Sequence, residues 1–314
     1  MFDIVSLGEG MVELRGEGPL GGCATFDRST GGDTLNVLVA AARLGGRTAF
    51  VTRLGKDPFH DFLAGRWKHL GVDLGWATAN DGFNAVYFIS LRSDGERDFT
   101  YYRAGSAASH LSPQDIPDGI WKQARYFFSS GITQALSESC RVAVRDAMQR
   151  AHEAGVSTAF DVNYRPRLRS AERARAETEE LLPFIDTLFV SLGEESEMLA
   201  GSCSARAVAE TLRARGVDCV VVRDGARGAV VASSQGLIEA PALQVAVVDT
   251  TAAGDAFNGG FLYALSRGMD RAGAARVGTV VAGLKVTGRG AIDSLPDRPT
   301  VERRLRKHFG LELP

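Results

Sequence analysis

Residues 249–261 read DTTAAGDAFNGGF, and the fold is decided by how this stretch is read. An apolar run at 243–248, LQVAVV, leads into it and predicts a strand. A turn of small residues follows, Ala252, Ala253 and Gly254, after which Phe257, Phe261, Leu262 and Leu265 recur at helical spacing. Strand, bare turn and helix start together make an anion site, because the first helical turn carries unpaired N–H groups and the positive end of the helix dipole. Asp255 stands at that site. An Asp there is also an ordinary helix cap. A cap, however, does not require a bare turn before it, whereas close approach of a bulky anion to the backbone does.

Outward from this stretch the chain alternates strand and helix. Residues 2–7 predict a strand that ends at Gly8-Glu9, and residues 31–46 (GGDTLNVLVAAARLGG) a helix capped by Asp33 or Thr34 and stopped by Gly45-Gly46. Strands are expected at 48–54, 125–129, 156–162, 186–190, 217–222 and 228–233. Helices are expected at 58–70, 137–154, 170–183, 194–200, 204–215 and 270–287, with a basic amphipathic tail from 299. This repetition predicts an α/β fold, a doubly wound and mostly parallel sheet with helices on both faces. Ligands then belong at the carboxyl ends of the strands. Two segments interrupt the alternation. Residues 15–28 are polar and glycine-rich, and 85–91 with 97–102 form two β-rich runs joined by Ser93-Asp94-Gly95-Glu96, a hairpin signal. The segments 10–30 and 83–104 are therefore read as a small β lid inserted into one α/β domain spanning 1–314.

Composition excludes several classes. The chain has 314 residues, 45% hydrophobic and 24% charged, with a net charge of −2, which gives no electrostatic reason to bind nucleic acid or an anionic membrane. No run of 18 apolar residues is present, and the first nine residues do not resemble a signal peptide. Cys23, Cys140, Cys203 and Cys219 show no CxxC pairing and no histidine at zinc spacing, as expected of reduced thiols in a cytoplasmic protein. The five histidines are scattered. Neither GxxxxGK[ST] nor GxGxxG after the first strand occurs, so any phosphate site is the turn at 252–254.

Three further places can carry chemistry. Gly31-Gly32 precedes a helix in which Asn36 falls one turn from the start, near enough for a ligand hydroxyl. In DVNYRPRL, 161–168, Asp161, Asn163 and Arg165 alternate with Val162 and Tyr164, so the three polar residues are expected to project together; a solvated loop explains them equally well. Arg165 suits a carboxylate. In the hairpin, Tyr101 and Arg103 fall on one face and Tyr102 on the other. That pattern is either an aromatic packing face or a lid that lowers a hydroxyl and a guanidinium onto a substrate.

Taken together, GGDTLN with its helix ending in LGG, and DTTAAGDAFNGGF, resemble the two signatures of the ribokinase-like (PfkB) carbohydrate kinases. Within that family GGDTLN, GERDFTYYRAGSA and DVNYRPRL most resemble the 2-keto-3-deoxygluconate kinases. The resemblance implies ATP-dependent phosphorylation of a sugar hydroxyl, with Asp255 as general base and Ala252, Ala253 and Gly254 offering N–H groups to the transferred phosphoryl. Ala252 stands where Gly is commoner. Ser191-Leu192-Gly193-Glu194 replaces the family's Asn-x-x-Glu, implying that Glu194 helps to place Mg²⁺ through water. Ser191, Arg223, Gly225 and Gly228, with Ala253 and Gly254, match nucleotide positions, Arg223 standing where Lys is usual. Asp249 with the 289–294 loop resembles the monovalent-cation site of some relatives, which implies K⁺.

On the sugar side, Gly32, Asn36, Tyr87, Tyr101, Arg103, Arg165 and Asp255 match substrate positions. Two arginines argue for a sugar acid, whose carboxylate Arg103 and Arg165 would clamp while the 6-hydroxyl faces Asp255. A fructokinase or ribokinase of the same fold, a non-catalytic sugar-acid sensor and a dehydrogenase-type nucleotide binder are the competing readings. An open-edged lid further implies a homo-oligomer, at least a dimer.

Overall fold

The computed structural model describes residues 1–91 and 97–314. The Ser93-Asp94-Gly95-Glu96 turn lies outside the described residues. In chain order the strands are β1 (Phe2–Leu7), β2 (Met11–Arg15), β3 (Asp27–Gly31), β4 (Thr48–Gly55), β5 (Val72–Asp73), β6 (Ala77–Asn80) and β7 (Val86–Leu91). They continue with β8 (Arg97–Tyr102), β9 (Ala124–Ser130), β10 (Ser157–Asp161), β11 (Thr187–Ser191), β12 (Cys219–Arg223), β13 (Ala229–Ser233) and β14 (Gly236–Ala240). The helices are α1 (Asp33–Arg43), α2 (His60–His69), α3 (Gly131–Ala135), α4 (Glu138–Glu153) and α5 (Ala171–Leu181). After them come α6 (Glu194–Ala200), α7 (Ala205–Ala214), α8 (Ala253–Ser266), α9 (Arg271–Lys285) and α10 (Arg298–Phe309).

The main sheet runs β14-β13-β12-β11-β10-β9-β1-β4-β5, with β6 also paired to β4. It is parallel from β12 to β5 and antiparallel only at β12/β13 and β13/β14. Side chains alternate across it, as the two-residue strand period requires. Ile4, Phe50, Phe128, Phe189 and Val221 join a core shared with α1, α2, α8, α9 and α10. Their neighbours Val5, Val51, Phe127, Leu188 and Val220 join a second core shared with α4, α5 and α7. Burial on both faces is what makes these strands read as continuous apolar runs.

From β1 the chain passes through β2, β3 and α1 and returns to the sheet as β4 on one side of β1; β9 occupies the other side. That reversal is the topological switch point, where ligand crevices form in open α/β sheets. Over it lies a second sheet, β3-β2-β7-β8. The expected pairing of the 10–30 excursion with the hairpin is found: β2 joins β7 in parallel and β7 joins β8 antiparallel. Met11, Ala85, Tyr87 and Ile89, with Phe99 beside them, give this lid its own small apolar core.

Two local expectations are corrected. Residues 243–248 are not a strand: Val247 and Val248 are exposed, and the Val248 and Asp249 amides both donate to the Val286 carbonyl rather than to a ladder. A β-rich composition without a neighbouring strand to pair with leaves an extended loop. Gly236–Ala240 forms the antiparallel edge strand instead. Neither Asp33 nor Thr34 caps α1; Gly32 does, at φ +149°, with no side-chain cap bond. A β-carbon on Gly32 would lie 2.2 Å from the Glu9 carbonyl oxygen, so the position requires glycine.

Candidate active site

Polar residues gather at the carboxyl ends of five adjacent parallel strands. Glu9 follows β1, Ser130 ends β9, Asp161 ends β10, Ser191 ends β11 and Arg223 ends β12. A cleft of about 540 Å³ opens between this edge and the lid. Gly32, Asn36, Tyr87, Tyr101, Arg103, Arg165, Ala252 and Asp255 all line it, as do Asp33, Arg97, Phe99 and Arg167. Among the described residues, Ser191, Arg223, Gly225 and Gly228 are not part of its lining.

Asp255 sits in the first turn of α8, whose cap residue Ala252 takes φ +59°. A left-handed alanine is strained, and here it turns the chain so that the helix start faces the cleft. The Ala253 amide bends back to the Thr250 carbonyl at 3.1 Å, so it is not the free donor expected of it. The Gly254 and Asp255 amides have no acceptor among the described residues. The Asn36 amide nitrogen donates to Asp255 Oδ2 at 2.8 Å, tying the starts of α1 and α8 together. Asn36 itself is buried, and its Oδ1 has no partner. Burial first, then the nearby Asp33 and Asp161 carboxylates, push the Asp255 carboxyl up to about 7.

Beneath the turn lies a network whose form the sequence did not disclose. Arg223 pairs in a two-pronged contact with Asp161, Nη1 to Oδ2 and Nη2 to Oδ1, both at 2.8 Å. Its Nη2 also donates to Ser191 Oγ at 3.0 Å and its Nη1 to Asn258 Oδ1 at 3.1 Å. Arg223 therefore points inward, against its expected place on a nucleotide. A β-carbon on Gly254 would come within 2.8 Å of Arg223 Nη1, so the guanidinium lies directly under the anion turn. Glu195, unforeseen, accepts from the Ser191 amide at 2.6 Å and the Tyr164 amide at 3.0 Å. Burial, then Asp161, push its carboxyl up to about 7. Nothing but its adjacency to Glu194 marked it.

DVNYRPRL is also rearranged. Asp161 is buried on Arg223, and Asn163, at φ +37°, donates to Asp33 Oδ2 at 3.2 Å. Of the three polar residues expected to project together, Arg165 alone reaches the cleft. Its only hydrogen bond among the described residues is to the adjacent Tyr164 carbonyl, at 3.2 Å. Arg103, by contrast, lies 2.7 Å from Glu9, a buried carboxylate that the sequence reading passed over. Tyr101 stacks between Tyr87 and Phe99, with Arg103 over its ring, and Tyr102 faces outward as its strand parity requires. The Tyr87 hydroxyl donates to the buried Glu13.

Glu194 opens α6 and is exposed. No group of three or more metal-ligating side chains occurs among the described residues. Gly225 (φ +52°) and Gly228 (φ +103°) shape the β12–β13 turn.

A carboxyl at a helix start, a turn of small residues before it and a cleft under a lid are found in a chain whose residues 1–298 match the family model described as pfkB family carbohydrate kinase. The chain belongs to the PfkB family of carbohydrate kinases. Among its relatives, 2-dehydro-3-deoxygluconokinase of Dickeya dadantii is 33% identical over 95% of this chain and 98% of that protein. Among solved structures, 2-dehydro-3-deoxygluconokinase of Thermotoga maritima superposes with a TM-score of 0.87 at 26% identity, covering 96% of this chain and 98% of the other. A fructokinase from Xylella fastidiosa with bound ATP superposes at 0.86 and 28% identity, covering 98% and 99%. The PfkB kinase is thus ribokinase-like throughout, with the lid as its second sheet.

Proposed function

We propose that this kinase transfers the γ-phosphoryl group of ATP, with Mg²⁺, to the 6-hydroxyl of 2-keto-3-deoxygluconate (2-dehydro-3-deoxygluconate). The carrying observation is that one cleft holds Asp255 with its anion turn and also Arg165, whose only bond among the described residues is to a neighbouring carbonyl. Arg167 lines the same cleft and, among the described residues, donates to a carbonyl alone, that of Phe99, at 3.1 Å. A sugar acid offers these guanidinium groups a carboxylate; a neutral sugar leaves them solvated.

In this reading Asp255 takes the proton of the attacking hydroxyl. A carboxyl titrating near neutrality is matched to that task, and Asn36 holds one of its oxygens so that the other faces the substrate. The unpartnered Asn36 Oδ1 accepts from a sugar hydroxyl. Charge developing on the phosphoryl group meets the Gly254 and Asp255 amides and the positive end of α8, with Arg223 beneath. Glu194, exposed at the start of α6, would help to hold the nucleotide's Mg²⁺, whose charge would offset that of the phosphates. Open edges at β3 and β8 favour a homodimer through the lid, and the four free thiols accord with a cytoplasmic setting.

One observation favours a neutral-sugar kinase such as a fructokinase: Arg103 is already neutralised by Glu9, which removes it from the carboxylate clamp. A coupled ATP-consumption assay decides. The expected result is kcat/KM on 2-keto-3-deoxygluconate at least about a hundredfold above fructose and ribose, the worth of roughly 2.7 kcal/mol. Equal rates on fructose would remove the sugar-acid reading, and no ATP consumption on any sugar would remove the kinase reading.

A further inference from the structure

Lys285, at the end of α9, is completely buried. An ammonium group out of water is expensive unless it is paired or hydrogen-bonded, so its placement needs a reason. Its Nζ donates to the Asp249 carbonyl oxygen at 2.9 Å. Asp249 immediately precedes the 250–254 turn, and its carboxylate is saturated in turn. The Thr251 and Gly290 amides donate to it at 2.8 Å each, and the Arg97 guanidinium from the lid contacts it as well.

A K⁺ site needs a shell of oxygens, mostly carbonyls, that replace the ion's hydration water. Around Asp249 those oxygens face donors. The Val286 carbonyl accepts the Val248 and Asp249 amides, and the Gly290 carbonyl accepts Ser294 Oγ at 2.7 Å. A monovalent cation of the kind implied for this loop does not fit a pocket that already holds one ammonium and one guanidinium.

We propose that the Lys285 ammonium is a built-in cation, a positioning charge that fixes the Asp249 carbonyl and through it the anion turn, so that phosphoryl transfer needs no K⁺. The inference rests on the kinase reading for its consequence, but its site is tested without substrate. Lys285 is close enough to Asp255 to interact with it electrostatically.

The test compares KCl with tetramethylammonium chloride at equal ionic strength. A cation that binds only the folded state raises its melting temperature. Wild-type protein is expected to melt at the same temperature in both salts and to keep kcat within about twofold. Lys285→Ala, which opens space at the same oxygens, is expected to lose kcat at least about tenfold in tetramethylammonium with little change in the sugar KM. It is also expected to regain part of that activity, and a higher melting temperature, in K⁺. A K⁺-specific melting shift or activation of the wild type overturns the proposal, and that arm holds even if the variant fails to fold. An unimpaired Lys285→Ala, or a loss that K⁺ does not rescue, overturns it too. Absence of activity on every sugar in wild type counts against the kinase reading alone, because the melting comparison still reports on the cation.

Discussion

The Asn36 side-chain amide donates to Asp255 Oδ2 at 2.8 Å, joining residues 219 positions apart at the starts of α1 and α8. This contact stabilises the ionised carboxylate, while burial, Asp33 and Asp161 oppose ionisation and leave Asp255 titrating at about 7. A general base acts only when deprotonated. The kcat/KM profile should therefore rise tenfold per pH unit below about 7 and level off above it. Asn36→Ala removes a bond to the charged form, so its ascending limb should move to higher pH. Asp255→Asn should lose turnover by at least about 10³-fold while ATP binding persists. An active Asn variant would falsify the base assignment.

The same titration predicts a trade between stability and function. Folded protein holds the Asp255 proton up to about pH 7, whereas the unfolded chain holds it only below about pH 4. Between those values unfolding releases a proton, so stability falls as pH rises, and above pH 7 the whole penalty is present. With water in the cleft screening the charge, that penalty is on the order of 2–4 kcal/mol. Asp255→Asn should accordingly melt higher than wild type at pH 8, with a smaller gain at pH 5. Equal gains at both pH values would show that the carboxyl is not shifted.

The cleft's arginines divide by partner. Among the described residues Arg165 is bound only to its neighbour's carbonyl, whereas Arg103 is held 2.7 Å from buried Glu9. Arg165→Ala should therefore lower kcat/KM on 2-keto-3-deoxygluconate by about 10²-fold, the worth of a charge-assisted bond, and leave fructose rates nearly unchanged. Arg103→Ala leaves Glu9 as an unpaired buried charge and should destabilise the fold by about 3 kcal/mol or more. Chemical denaturation alongside kinetics on both variants separates the two roles.

The frame of the molecule was legible because its signals are local. An apolar run marks β1, period-3.6 patterns mark α1 and α4, and the small residues before Asp255 announce a turn that an anion can approach. What stayed hidden depends on side chains meeting across sequence. Arg223 and Asp161 are 62 positions apart, and Arg103 and Glu9 are brought together only when the lid closes over β1. Alternation in DVNYRPRL predicts that Asp161, Asn163 and Arg165 share a face. It cannot anticipate that Asn163 takes a left-handed backbone and breaks the alternation. The apolar run 243–248 misled because strand propensity is satisfied only where a sheet edge exists to receive it.

Ala252 holds a left-handed conformation at φ +59°, which costs an L residue about 1–2 kcal/mol and glycine almost nothing. Ala252→Gly should raise stability by about 1 kcal/mol or slightly less, because glycine also loosens the unfolded chain. Activity should be retained, since the turn keeps its shape. A destabilised Gly variant would mean that the alanine methyl packs in a way that outweighs its strain.

Arg223 offers the sharpest separation of architecture from chemistry. It is pinned by two contacts to Asp161 at 2.8 Å, by Ser191 and by Asn258, and it lies under Gly254. Arg223→Met leaves Asp161 charged and buried and should destabilise the protein by about 3–5 kcal/mol. Arg223→Met with Asp161→Leu removes both charges and should recover much of that loss, giving a favourable coupling in the double-mutant cycle. Loss of Arg223 alone also acts on Asp255, because the guanidinium charge favours ionisation of that carboxyl whereas Asp161 opposes it. The Arg223→Met limb should therefore sit at higher pH than wild type, and the double variant, which loses both opposing charges, should bring it back to the wild-type position or slightly below. An Arg223→Met variant with a wild-type pH profile would reduce Arg223 to a packing residue, whereas a limb displaced upward in Arg223→Met and restored in the double variant would place its charge in the reaction.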